Sequence, residues 1–258
     1  MLNKLDILFV NPDSSAKAYQ GLATVYSAVE PPTWALLLAE SCRSNGFGVG
    51  LLDCDAEKLS IEQAVRRIEE LRARLVVFVV YGQNPNSGTT SMIGACELAS
   101  QLRSSHPEIK IGFIGSHVSA LPLEVVQLPY VDIAFINEGV HALLALLKSD
   151  LDGVLDKIPG IWYKDKSGVP RPGAPGIVVS AAQMDTLMPG YAWDLLPRRS
   201  EALDLYRAHF WHTDFLHENR TPFAAIYTSL GCQFSCNFCM INIVNRSSYE
   251  ADSRGMRG

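Results

Sequence analysis

Between residues 5 and about 150 the chain repeats one unit: a short apolar run without alternation, then a stretch whose apolar residues fall at helical spacing. The runs are LDILFV (Leu5 to Val10), VGLLD (Val49 to Asp53), LVVFVVY (Leu75 to Tyr81), IKIGFIG (Ile109 to Gly115) and VDIAFI (Val131 to Ile136). Strands that are apolar on both faces belong in a parallel sheet covered by helices on both sides. The stretches between them carry helix signals. PPTWALLLAESCRSNG opens on proline and closes on Asn45-Gly46. SIEQAVRRIEEL places Ser60 and Gln63 in capping-box positions and spaces Ile61, Ala64, Val65, Ile68 and Leu71 along one helical face. Five such units predict an α/β fold with a doubly wound, five-stranded parallel sheet.

A sheet of this Rossmann or flavodoxin-like winding binds ligands beyond the carboxyl ends of its strands. The segments there are NPDSS (Asn11 to Ser15), DCDAE (Asp53 to Glu57), YGQNPNSG (Tyr81 to Gly88), GSHVSA (Gly115 to Ala120) and NEGVH (Asn137 to His141). Their Gly, Asn, Ser and Pro suit close backbone approach to a large polar ligand, and they also suit ordinary βα turns. The length of the third loop tips the balance toward a ligand. Neither G-x-G-x-x-G after the first run nor G-x-x-x-x-G-K-[ST] occurs, which argues against the usual dinucleotide and nucleoside triphosphate sites.

With 258 residues, 48 % of them hydrophobic, the chain can bury a sizeable core. A net charge of -5 argues against a nucleic-acid partner, and the basic run RRIEELRAR interleaves glutamates as a solvated helix face does. The start, MLNKLDILFVNPD, reaches proline after too short an apolar run for a secretory signal, and nothing approaches the roughly 20 apolar residues of a membrane span. The expectation is a cytoplasmic protein with no membrane partner, whose thiols stay reduced. Cys42, Cys54 and Cys96, scattered through helix and strand patterns, are expected to be small core residues.

From 151 to 220 the alternation stops. GIWYK, DKSG and the residues after them read as a β-hairpin and a Pro/Gly-rich connection, and the remainder as an interdomain linker. FAAIYTSLG (Phe223 to Gly231) then reads as a fresh buried strand, and it runs straight into GCQFSCNFCM. Three of the six cysteines, Cys232, Cys236 and Cys239, stand here at C-x-x-x-C-x-x-C spacing.

Structural zinc is usually closed by four ligands, and the nineteen residues after Cys239 hold neither Cys nor His. A fourth ligand would have to come from His209, His212 or His217. An iron–sulfur cubane explains three thiolates better, because it leaves one iron open to a substrate or cofactor. Three free thiols in a tight turn explain the placement least well, since a glycine-bearing loop is a poor place for core residues.

GCQFSCNFC resembles the signature of radical S-adenosylmethionine (radical SAM) enzymes, C-x-x-x-C-x-aromatic-C, with Phe238 at the aromatic position beside the adenine. The resemblance implies a partial (β/α) barrel whose first strand is Phe223 to Leu230. It also implies a [4Fe-4S] cluster on Cys232, Cys236 and Cys239 that binds S-adenosylmethionine and forms a 5′-deoxyadenosyl radical. The rest of the chain is similar to the cobalamin-binding subset of that superfamily, in which a Rossmann-like domain precedes the barrel. EPPTWALLLAESCRSNGFGVGLLD, VDIAFINEGVHALLALL and YAWDLLP carry that similarity. The implied domains are 1–150 for cobalamin, 151–220 as hairpin and linker, and 221–258 as the start of a truncated barrel.

By strand order, the resemblance puts cobalamin against Tyr81, Gly82 and Gln83, Gly115, Ser116 and His117, and Asn137, Glu138 and Gly139. The loop after the first run, NPDSSAKAYQG, lacks the histidine of the D-x-H-x-x-G pattern, which fits a cobalamin without a histidine lower ligand. The 38 residues from Thr221 to Gly258 are too few for a barrel, so this chain alone is expected not to turn over, with its cluster exposed and labile. For the whole enzyme, the resemblance implies a methyltransferase acting on a small-molecule substrate and reduced by a donor such as flavodoxin or ferredoxin. A radical rearrangement, cyclisation or oxidation with the same cofactors is the alternative. A cobalamin-binding module with structural zinc is the rival outside catalysis.

Overall fold

The structure is a computed structural model that describes residues 5–82, 88–151, 153–213, 216, 219–232, 234 and 236–245. Its strands are β1 Ile7–Asn11, β2 Val49–Asp53, β3 Leu75–Val80, β4 Lys110–Gly115, β5 Ile133–Phe135, β6 Ile161–Lys164 and β7 Pro170–Pro172. Its helices are α1 Ser15–Tyr19, α2 Ala23–Tyr26, α3 Thr33–Ser44, α4 Cys54–Glu57, α5 Ile61–Leu71, α6 Gly88–Ser105, α7 Ser116–Ala120, α8 Pro122–Gln127, α9 Val140–Lys148, α10 Met184–Leu187 and α11 Ile241–Val244.

The sheet runs β2-β1-β3-β4-β5-β6-β7. β1 to β5 are parallel, in the five places the apolar runs predict, with Ile7 opposite both Val49 and Leu75. Alternate residues of each strand enter two different cores. Ile7, Phe9, Leu75, Val77, Ile133 and Phe135 pack with α3 and α9 on one face. Leu8, Val10, Val76, Phe78, Ile111 and Phe113 pack with α5 and α6 on the other. Burial on both sides is why these strands carry no polar alternation.

The helix that leaves β1 covers one face and the helix that leaves β3 covers the other. The two strands are neighbours, so their carboxyl ends open apart and form the switch point of the sheet. Close strand approach depends on glycine at the end of β4, where a Cβ on Gly115 would stand 2.2 Å from the Val80 carbonyl oxygen.

The capping box at α5 forms as its residues predict, with the Gln63 N–H donating to Ser60 Oγ at 3.2 Å and the Ser60 N–H to Gln63 Oε1 at 2.8 Å. Ser60→Ala is expected to cost about 1 kcal/mol of stability, read as a shifted urea midpoint with unchanged slope.

Two features differ from the sequence expectation. The hairpin at 161–172 is not confined to a connection between domains: β6 pairs antiparallel with β5, and β7 with β6, so the five-stranded sheet grows to seven. Phe223 to Leu230 forms no strand: residues 228 and 229 bend and only Leu230 makes a single bridge, with alternate side chains exposed and Ile226 58 % accessible. Side chains hold its backbone instead. Thr33 Oγ1 donates to the Ala225 carbonyl at 3.1 Å, the Tyr227 N–H donates to the Tyr191 hydroxyl at 2.8 Å, and that hydroxyl donates to the Tyr227 carbonyl at 2.9 Å.

Val179, Met188, Ala192 and Leu230 join the core on the α3 and α9 face, so the segment after the hairpin packs down on the sheet domain. Cys42 and Cys54 are buried as expected, while Cys96 is only partly so. None of the described helices is long and apolar enough to cross a membrane.

Candidate cofactor site

A cleft of about 450 Å³ opens at the switch point. Asn11 and Pro12 line it from the end of β1, Val79, Tyr81 and Gly82 from the end of β3, and Thr33 and Trp34 from the start of α3. Its outer wall comes from far along the chain: His209, Trp211 and His212, then Tyr227. The volume suits a small molecule, or one part of a larger cofactor.

Trp34 and Tyr81 stack at the base, their ring centroids 4.9 Å apart, and Tyr227 meets Trp34 edge-on at 5.8 Å. Trp34 Nε1 and the Tyr81 hydroxyl are buried and have no hydrogen-bond partner among the described residues. Buried donors are nearly always paired, so two orphans in the lining of one cleft point to a polar ligand or water. Burial, followed by Tyr227 and Glu138, raises the Tyr81 hydroxyl well above the ordinary tyrosine range, which keeps it a neutral donor.

The outer wall is fastened by three side chains. The Tyr206 hydroxyl donates to Asp53 at 2.9 Å, and Asp53 also accepts from Asn11 at 2.8 Å and from the Ala56 N–H at 3.1 Å. Arg207 donates to the carbonyls of Ser27 and Ala23, and Arg220 to those of Val25, Ser27 and Ala208. The two guanidiniums thus tie the loop after β1, with α1 and α2, to the segment that carries His209 and Trp211. Sequence reasoning weighs the run Tyr206 to His217 as a cleft lining that meets substrate, but favours an ordinary aromatic-rich packing segment and so leaves His209, Trp211 and His212 out of the site residues. Only their density of rings in YRAHFWHTDFLH signals a wall.

The residues expected to contact a cofactor separate into two groups. Tyr81 and Gly82 line the cleft, and Gln83 lies outside the described residues. Gly115, Ser116, His117, Asn137, Glu138 and Gly139 do not line it. His117 Nδ1 lies 3.0 Å from Thr89 Oγ1, and burial lowers the imidazole's pKa, against the opposing pull of Glu124. Asn137 adopts φ +57° and donates through Nδ2 to the Ile243 and Val244 carbonyls at 3.0 and 3.3 Å. Glu138 is fully buried and accepts from the Val179 N–H at 2.7 Å. Gly139 takes φ +79° as the N-cap of α9. With α11 packed against α7, the ends of β4 and β5 are covered by the chain itself.

Cys232 and Cys239 are half-buried, Cys236 is exposed, and the Cys239 N–H donates to the Cys236 carbonyl at 3.2 Å. Phe238 is 78 % accessible. The donor set has the soft chemistry an iron–sulfur cluster needs, but no three His, Cys, Asp or Glu side chains among the described residues gather into a metal-binding group. His217, a candidate fourth ligand for zinc, lies outside the described residues.

A doubly wound sheet with an open cleft at its switch point defines a ligand-binding α/β domain. Residues 19–147 match the B12 binding domain model, half of the chain, so this chain belongs to the B12-binding domain family. An uncharacterized methyltransferase of Pyrococcus horikoshii, PH0819, is 24 % identical over 245 residues, which are 91 % of this chain and 45 % of that protein. The chain thus spans less than half of that relative.

Among solved structures, the cobalamin-dependent S-adenosylmethionine radical enzyme OxsB, with aqua-cobalamin and S-adenosylmethionine bound, superposes with a TM-score of 0.65 at 18 % identity over 92 % of this chain and 28 % of its own. The radical S-adenosylmethionine methyltransferase TsrM from Kitasatospora setae, with cobalamin and a [4Fe-4S] cluster bound, gives 0.55 at 14 % identity over 93 % and 42 %. At those identities the likeness is one of fold.

Proposed function

We propose that this chain is the cofactor-binding portion of a cobalamin-dependent radical SAM enzyme, and that the whole enzyme transfers a methyl group to a small-molecule substrate. The reading rests on one juxtaposition: a B12-binding sheet whose switch-point cleft is walled by Tyr227, five residues before the first cysteine of C-x-x-x-C-x-x-C. Cobalamin would lie against Tyr81, Gly82 and Trp34, where the orphaned donors can meet its amide carbonyls, and it would carry the methyl group. The loop after β1 supplies no histidine to its metal.

Cys232, Cys236 and Cys239 would hold the cluster. Metal binding itself gathers ligands that are not preformed, because its free energy then counts toward folding. An external reductase such as flavodoxin or ferredoxin would supply the electron. PH0819 is described as a methyltransferase and TsrM is one, which favours methyl transfer over rearrangement.

Anaerobic reconstitution with iron, sulfide and hydroxocobalamin tests the reading. The expected product holds about four irons with matching acid-labile sulfide and keeps a corrin absorption through gel filtration. Zinc without sulfide would sink the radical assignment, and a corrin lost on the column would sink the cobalamin one.

A further inference from the structure

Glu30, just before α3, is an acid without a counter-charge among the described residues. It lines the cleft, and its carboxylate makes no hydrogen bond or ion pair with any described residue. Asp55 lines the same cleft but is paired with Lys58 at 2.5 Å, while no lysine or arginine lines the cleft among the described residues. Five aromatic residues also line it: Tyr19, Trp34, Tyr81, Trp211 and Tyr227. Trp211 is 53 % accessible and stacks flat on His209, with ring centroids 4.2 Å apart at 6°.

Electron-rich ring faces attract a cation, tryptophan most strongly, and the attraction grows as water is excluded. A carboxylate drawn partly out of water without a counter-charge is unfavourable, and a bound cation relieves it. Burial, and after it Asp55, pushes the Glu30 carboxyl up to about 7, as an acid lacking a cation should be.

We propose that, beside the cobalamin that would lie on Trp34 and Tyr81, the cleft also takes an organic cation, an amine or quaternary ammonium on a planar or apolar body, with Glu30 as its counter-ion and Trp211 as a wall. This names the substrate class for the proposed enzyme and rests on that reading only in taking the switch point as the ligand edge. Glu30 and Trp211 hold the cation through charge and ring face, and they take no part in bond making.

Three probes of one body and different charge test it: phenethylamine, 2-phenylethanol and 3-phenylpropionate, titrated into the full chain at pH 8 by calorimetry. Phenethylamine is expected to bind about tenfold tighter than 2-phenylethanol, with 3-phenylpropionate weakest. Glu30→Gln should erase the preference for the amine while keeping the alcohol's affinity. Trp211→Ala, at an exposed position where folding is not at stake, should weaken the amine more than the alcohol.

Amine affinity should also rise as pH climbs through about 7, because Glu30 must lose its proton to bind. The titratable groups that line the cleft with it are Tyr19, Asp55, Tyr81, His209, His212 and Tyr227. Equal affinity for amine and alcohol, binding of none of the three, or an amine preference that survives Glu30→Gln would each overturn the proposal. Hydroxocobalamin retention is read on the same samples. Corrin kept without an amine preference defeats this inference alone, and an amine preference without corrin defeats the cobalamin reading alone.

Discussion

Alanine at Cys232, Cys236 and Cys239 together is expected to cut the iron held after anaerobic reconstitution from about four per chain to none, with the far-ultraviolet circular dichroism unchanged. The two halves of that result have separate causes. A cluster held by three thiolates cannot spare one, so each single alanine should already lose most of the iron. The fold, by contrast, does not use these side chains, which lie outside both large cores, with Cys236 exposed. Substitution at such sites shifts stability by no more than about 0.5 kcal/mol.

Cys42 and Cys54 provide the contrast. They are 1 % and 2 % accessible, burial pushes the Cys42 thiol up to about 12, and burial followed by Asp53 pushes the Cys54 thiol up further. Serine at either should lower the unfolding midpoint and leave the iron in place. Iron retained by the triple alanine chain would refute the assignment of the ligands.

The burial of Cys42 and Cys54 was legible in the sequence because it is local: thiols in apolar runs belong to cores, although Cys96, read the same way, is only partly buried. The five parallel strands were legible for a related reason, since burial on both faces leaves a run without alternation, as in LVVFVV of β3.

Pairing is a different kind of fact. GIWYK reads as a strand, but nothing in it says that Ile161 lies opposite Phe135 and enlarges the sheet. Phe223 to Leu230 has the composition of a strand, and no described strand lies alongside it. In the same way, Asn137 and Glu138 have the polar character of ligand contacts past a strand end, and they also hydrogen-bond the Ile243 carbonyl and the Val179 N–H. A polar residue looks alike in sequence whether its partner is a cofactor or a distant stretch of its own chain. Tyr81 and Gly82 were readable because a strand end points at the edge by itself. Glu30 and Tyr227 were not, because the tertiary fold brings them to the cleft from separate segments, and Trp211 was readable only as one of two alternatives for its aromatic-rich run.

The buried Asp53 predicts how that assembled wall responds to acid and base. Asp53 is fully inaccessible, and desolvation raises its pKa from the 3.8 of an ordinary aspartate to about 7, against the opposing hydrogen bonds from Asn11, Ala56 and Tyr206. The folded state therefore holds a proton that the unfolded chain releases between about pH 4 and pH 7. Bound protons in excess on the native side mean that stability falls as pH rises across that window. Each pH unit of that window is worth about 1.4 kcal/mol, so the loss from this one group approaches ~4 kcal/mol.

Glu30 and Asp55, both raised chiefly by burial, slope the same way, so the test is a difference. Asp53→Asn keeps the shape and the neutral hydrogen bonding of the protonated acid, and its unfolding free energy should fall less between pH 5 and pH 8 than that of the unaltered chain, by about 2–4 kcal/mol. Parallel profiles for the two proteins would show that Asp53 does not carry the proton. The consequence reaches the cleft. Asp53 is the anchor for Tyr206, and Tyr206 precedes His209 and Trp211 by only a few residues. Ionising the anchor strengthens the hydrogen bond it accepts from Tyr206 while leaving a charge without water around it, and an amide at this position should keep the anchor neutral at every pH from 5 to 8.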